Sequence, residues 1–150
     1  MNPSVTLSEA NILKLLNNIT IFSGIGLAEQ HMLAAKCITT DWEAEKIVIE
    51  EGEIGDTLYA ILKGQVTVTK YSSSQGQVKV NGLIAGDIFG EIAILRGIPR
   101  TARITTITPC TFLTITAHDF LDAYQFFPPQ SRDNIQLVIA KRLIQLRSHF

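Results

Sequence analysis

From Ile38 to about Thr116 the sequence is cut by glycine every eight to twelve residues into short runs that alternate apolar and polar side chains. Alternation with period two places one face of each run on a core, and frequent glycine allows tight reversals between runs. The runs are 46–50, 57–63, 65–71, 77–84, 101–106 and 110–116, with Gly52, Gly55, Gly64, Gly76, Gly82 and Gly86 between them or at their ends. A pattern of this kind predicts an antiparallel sandwich or barrel of about eight strands. The stretch Ser72-Ser73-Ser74-Gln75-Gly76 reads as a hairpin tip, too short to link two domains.

Helical periodicity takes over on both sides of this region. Thr6 and Glu9 have capping-box spacing, and Leu7, Ile12, Leu15, Leu16 and Ile19 recur at helical intervals. A turn through Phe22-Ser23-Gly24-Ile25-Gly26 leads into a second helix over 27–37, with Leu33 and Cys37 on one side. Beyond Thr116, a short helix spans 117–125, and Pro128-Pro129 opens a longer one to about Arg147 with Ile135, Val138, Ile139, Leu143 and Leu146 in one stripe. The expected plan over 150 residues is one domain: helices in 1–37, β structure in 38–116 and helices in 117–150.

Charge is unevenly distributed. Residues 1–60 hold three lysines against nine acids, residues 61–150 ten bases against five acids, and all six arginines lie from Arg96 onward. The net charge of −1 gives no overall attraction to nucleic acid or an anionic membrane, but the basic second half favours an anionic ligand. Cys37 and Cys110 read as buried free thiols. With no long apolar segment and no signal-like start, the expected location is the cytoplasm.

One stretch, 89–102, breaks the strand rhythm. Between strands it inserts a single helical turn, 91–95, entered through Gly90 and left through Gly97 and Pro99. Unpaired amides at the start of such a turn suit an anion, and Gly90, Ala93 and Ala102 do not crowd it. Arg100 can add a fork of donors to two phosphate oxygens. Glu91 would repel that anion unless it has its own task, and a sugar hydroxyl, which donates to carboxylates, is a natural partner. Phosphate and ribose side by side describe a nucleotide. The alternative is that Glu91 caps the turn and Arg100 pairs with it or with Asp87.

Gly90-Glu91-Ile92-Ala93 followed by Pro99-Arg100-Thr101-Ala102 resembles the phosphate-binding cassette of cyclic nucleotide-binding domains, the modules of catabolite activator protein, protein kinase A regulatory subunits and cyclic nucleotide-gated channels. The hairpin from Gly55 to Val68 and the lead-in Gly86-Asp87-Ile88-Phe89 resemble the same family, which would cover 21–147. The resemblance implies a mainly β fold with flanking helices, a jelly-roll β-roll holding a 3′,5′-cyclic nucleotide, followed by the B and C helices at the C-terminus. By that resemblance Glu91 accepts from the ribose 2′-hydroxyl and Arg100 clamps the cyclic phosphate. Backbone amides near Gly90, Ile92, Ala93 and Ala102 complete the anion site, and Thr101 sets a hydroxyl beside it. Alternation turns Val66, Val68, Val78 and Val80 inward, and Val68 and Val80 are the expected base wall. The family's last helix caps the base, which points to Leu146 and Arg147 as a lid; neither resembles the Thr-Ser pair that reads adenine in catabolite activator protein.

The function expected is a second-messenger sensor for cAMP or cGMP, with cAMP somewhat favoured and the C-terminal helix moving on binding. Partners would be an unidentified protein effector and a second copy through that helix, with no DNA-binding segment and no membrane contact. No cofactor or metal is expected: a cupin-type enzyme needs His and carboxylate on adjacent strands, whereas His31, His118 and His149 are scattered among helical segments. The competing expectation is a ligand-free interaction module that retains the roll.

Overall fold

The computed structural model describes residues 4–5, 9–22 and 24–148. The chain is mainly β with flanking helices. The strands are β1 (Ser4–Val5), β2 (Ile38–Trp42), β3 (Ile47–Ile49), β4 (Thr57–Lys63), β5 (Gln65–Ser72), β6 (Gly76–Ile84), β7 (Ile88–Phe89), β8 (Arg103–Thr106) and β9 (Cys110–Thr116). The helices are α1 (Glu9–Leu16), α2 (Leu27–Lys36), α3 (Glu91–Arg96), α4 (Ala117–Tyr124) and α5 (Pro129–Ser148), with a 3-10 turn at Thr20–Phe22. All strand pairings are antiparallel, in two sheets ordered β1-β2-β9-β4-β7 and β3-β8-β5-β6.

The two hydrophobic clusters follow from this layering. Inside the roll, Ile61, Val66, Phe89, Ile104 and Phe112 pack between the sheets, and Phe89 stacks on Tyr59 with ring centroids 4.8 Å apart. Outside it, the helices bury Ile12, Leu16, Ile19, Leu33, Cys37, Ile135 and Ile139 against Leu58, Ala60, Leu113 and Ile115 of the first sheet. The expected stripe of α5 therefore has a definite role, since Ile135, Ile139 and Leu146 are its buried apolar residues. Between β4 and β5 the chain reverses at Gly64 (φ 99°), where a Cβ would strike the Pro109 carbonyl and the Cys110 thiol.

Three expectations need correction, while the cap expected at Thr6 lies outside the described residues. Strand β2 was hidden because Thr39 and Thr40 are both buried, so the run does not alternate. The run expected over 101–106 pairs only from Arg103, because the Arg100 backbone is tied instead to the 50s loop: its amide donates to Glu53 O at 2.8 Å and its carbonyl accepts from Gly52 at 2.9 Å. The inward row of valines is also broken. Val66 is buried, but β6 slips register against β5 after Val68, and Val78 does not reach the cavity described below.

Candidate ligand-binding site

Strands β7 and β8 are joined by α3 and the loop that returns to Arg100. Gly90 enters α3 at φ 90°, and a Cβ there would meet both the Arg100 guanidinium and the Thr57 carbonyl. The helix is closed by the Gly97 and Ile98 amides, both donating to Ala93 O. The loop then folds back beneath α3, so that Gly90, Arg100 and Thr57 converge.

Arg100 is buried, yet among the described residues no carboxylate bonds it. Its Nη1 donates to Gly90 O at 3.0 Å and its Nη2 to Thr57 O at 2.8 Å. Burial pulls this guanidinium below its ordinary pKa, opposed by the charges of Tyr59, Asp56, Glu91 and Glu53. Two neutral carbonyls satisfy hydrogens but do not neutralise charge, so the arrangement retains an attraction for an anion.

Glu91 is 1% exposed. Its Oε1 accepts from Arg142 Nη1 of α5, while Oε2 is buried with no hydrogen-bond partner among the described residues. Asp87 is occupied elsewhere, accepting from the Ile84 amide at 3.0 Å. The alternative in which Arg100 is paired with Glu91 or Asp87 is therefore not the arrangement formed.

Both groups open into one cavity with about 530 Å³ of empty space, part of it continuous with solvent. Gly90, Glu91, Ile92, Ala93, Arg100, Thr101, Ala102, Val68 and Val80 all line it, as does Leu146. Arg147 does not. It lies on a neighbouring open cleft with Lys70 and Pro99, which Arg100, Thr101 and Leu146 also border, because it is five residues, about 140° round the helix, from Arg142. Arg142, Gln145 and Asn81 line the cavity and were not expected. A signal for Arg142 was present, since it lies one helical turn from Leu146 on the same face. His118 sits with Asp119 and Asp122 on α4, exposed and outside this lining; His149 lies outside the described residues.

Residues 39–125 match the cyclic nucleotide-binding domain family. The chain belongs to that family. It is similar to a cAMP-dependent protein kinase regulatory subunit of Yarrowia lipolytica, 36% identical over 70% of this chain and 27% of the relative. It is also similar to a CRP-like cAMP-activated global transcriptional regulator of Mycobacterium tuberculosis, 28% identical over 87% of this chain and 58% of that protein. The fold is that of the regulatory domain of Toxoplasma gondii PKA crystallised with cAMP, with a TM-score of 0.79 at 22% identity, covering 89% of this chain and 50% of that one. The chain thus spans about a quarter of the length of the kinase subunit it matches. As a cyclic nucleotide-binding domain it carries the family's regulatory module. Among its described residues, no helix is long and apolar enough to cross a membrane.

Proposed function

We propose that this cyclic nucleotide-binding domain takes up a 3′,5′-cyclic purine nucleotide, cAMP in preference to cGMP, and acts as a non-catalytic second-messenger sensor. The observation that carries the reading is the pairing, in one cavity, of a buried cation that no carboxylate hydrogen-bonds and a buried carboxylate oxygen without a donor among the described residues. A cyclic nucleotide supplies both missing partners on one rigid unit: a diester charge for Arg100 and a 2′-hydroxyl for Glu91 Oε2. The amides of Ala93 and Ala102 and the hydroxyl of Thr101 complete the phosphate site. Val68 and Val80 form the base wall, with Leu146 above it.

The same geometry supplies a route to an output. Ribose bound at Oε2 would lie against a carboxylate whose Oε1 already holds α5 through Arg142. Ligand would thereby favour the docked position of α5, and a coupling of about 1 to 3 kcal/mol suffices for an ordinary switch. Leu137 and Ile144 remain exposed on α5, and this is where we place an effector or a second copy. We treat 1–150 as one module of this kind, working in the cytoplasm.

The test is calorimetric titration of protein unfolded and refolded to strip carried-over nucleotide, with cAMP and cGMP. Saturable one-to-one binding is expected. No heat with either ligand would leave the ligand-free interaction module as the reading. Amide exchange over 131–148 should slow at saturation, and unchanged exchange would overturn the movement of α5 while leaving binding intact.

A further inference from the structure

Lys70 and Arg147 have no part in the roles assigned so far. Both line the open cleft beside the cavity, which has about 860 Å³ of empty space, part of it continuous with solvent. Its walls come from the loop after β3 at Glu51 and Gly52, from β5 at Lys70, from the loop that returns to Arg100, and from the last turns of α5. Helix geometry explains how α5 serves both spaces. At about 100° per residue, Gln145, Arg142 and Leu146 fall in one arc, which faces the cavity, while Leu146, Leu143 and Arg147 fall in the next, which faces the cleft. Leu146 is thus the ridge between them. Arg100 and Thr101 also border both spaces.

The cleft is cationic. Lys70, Arg100 and Arg147 line it against one carboxylate, Glu51. That carboxylate is committed to its own wall, with Oε2 accepting from Lys70 Nζ at 2.8 Å and Oε1 from the Tyr71 amide at 3.0 Å. Lys70 Nζ also donates to Thr101 O at 3.4 Å, which sets its ammonium at the edge of the returning loop. A concave wall dominated by one sign of charge focuses the field and gathers ligands of the opposite sign.

We infer that this cleft is the entrance by which the anionic nucleotide reaches the cavity, phosphate first, and that Lys70 and Arg147 steer it to Arg100. The inference rests on the proposed function and deepens it. Arg100 lines both spaces and can pass the phosphate from one to the other, whereas Lys70 and Arg147 line only the cleft. Charges at a rim of this kind act on the association rate and its salt dependence, and little on dissociation. The step inward passes the Leu146 side chain, so entry does not require Arg142 to leave Glu91.

The experiment measures association and dissociation rates of cAMP on immobilised protein by surface plasmon resonance, at about 20 mM and about 500 mM salt. Wild type is compared with Arg147→Glu, Lys70→Gln and Lys141→Glu. Lys141 is exposed on the same helix but lines neither space, so its reversal is matched in charge. At low salt Arg147→Glu should slow association about tenfold and Lys70→Gln about threefold, with dissociation within about twofold of wild type. High salt should largely remove these differences, and Lys141→Glu should slow association by less than about twofold. Equal slowing in Arg147→Glu and Lys141→Glu would mean that only net charge acts, and the inference fails. Unchanged association also overturns it, as does faster dissociation in place of slower association, which would put these side chains on the bound ligand. Should Lys70→Gln not fold, Arg147→Glu decides alone. Calorimetry separates the two readings: wild type that gives no heat with cAMP or cGMP removes the proposed function, whereas wild-type binding with unaltered rates in Arg147→Glu removes only the entrance.

Discussion

Arg142 of α5 donates to Oε1 of Glu91, 51 residues earlier in the chain, and so ties the last helix to the buried carboxylate that opens α3. The Arg142 side chain is 17% exposed and that of Glu91 1%, so water screens little of this pair. Removing one partner of a buried pair leaves the other charge uncompensated, at a cost of about 3 to 5 kcal/mol. Arg142→Ala should therefore lower the unfolding free energy by roughly that amount. Glu91→Gln in the same chain should recover part of the loss, since an amide needs no counter-charge. Urea unfolding of the two single variants and the double variant checks this; strictly additive losses would show that the two residues do not interact.

Removal of Arg100 acts on affinity. Arg100→Ala deletes the only cation whose hydrogen bonds brace both Gly90 and Thr57 among the described residues. The loss in cyclic nucleotide binding should be about 2 to 5 kcal/mol, or about thirty- to several-thousand-fold. Arg96, exposed and bonded to Gln136, is the control and should change affinity little. Arg103 is a poorer control because it bonds Glu50 at 2.9 Å. Calorimetry that finds Arg100→Ala and Arg96→Ala equal would remove Arg100 from the phosphate role.

Glu91 is tested through the sugar. In wild type, a 2′-deoxy cyclic nucleotide should bind about tenfold more weakly, the worth of a hydrogen bond to a charged group. In Glu91→Ala that penalty should vanish, because the acceptor is gone. Equal penalties in both proteins would contradict the assignment of Oε2 to the 2′-hydroxyl.

Much of this site is written in local sequence. Glycine at 90 and 97 brackets α3, and Arg100 follows Pro99, so the cassette can be read from residue types and spacing alone. Three features lie beyond that reach. The slip in β6 depends on which β5 residue each β6 residue faces, and alternation within one strand carries no record of it. The β2 strand buries consecutive threonines, which polar character assigns to the surface. Arg142 and Gln145 face the cavity only because α5 folds back across the roll, although their spacing to Leu146 marked them as its neighbours on the helix. Arg147 shows the converse: it shares the neighbouring cleft with Leu146 but does not reach the cavity that Leu146 also lines.

Gly55 gives a cleaner probe of Arg100 than Arg100 itself. A Cβ at Gly55 would collide with the Arg100 side chain from Cδ to Cζ, and no backbone atom is among its nearest neighbours. Gly55→Ala should thus push the guanidinium off its place while leaving the fold within about 1 kcal/mol of wild type, since only a side chain must shift. Affinity should fall about tenfold or more, by misplacing a charge-assisted bond. A variant that binds like wild type would show that Arg100 reaches the ligand from elsewhere.

Cys37 supplies a prediction independent of the ligand. Burial, reinforced by the nearby charge of Asp119, pushes its thiol from 9.0 up to about 12. The unfolded chain then loses this proton at lower pH than the folded one. The native state therefore has its full share of stability below about pH 9 and loses it as pH climbs toward the folded value, at about 1.4 kcal/mol per pH unit. Between pH 9 and 11, wild type should lose stability more steeply than Cys37→Ala by about that slope, with both falling together below pH 8. Urea unfolding across this range measures the difference, and parallel curves would mean that the thiol ionises in the folded state as readily as in the unfolded chain. At neutral pH the same burial keeps Cys37 protonated and out of reach, so thiol reagents should modify it only at the rate at which α2 opens from the first sheet.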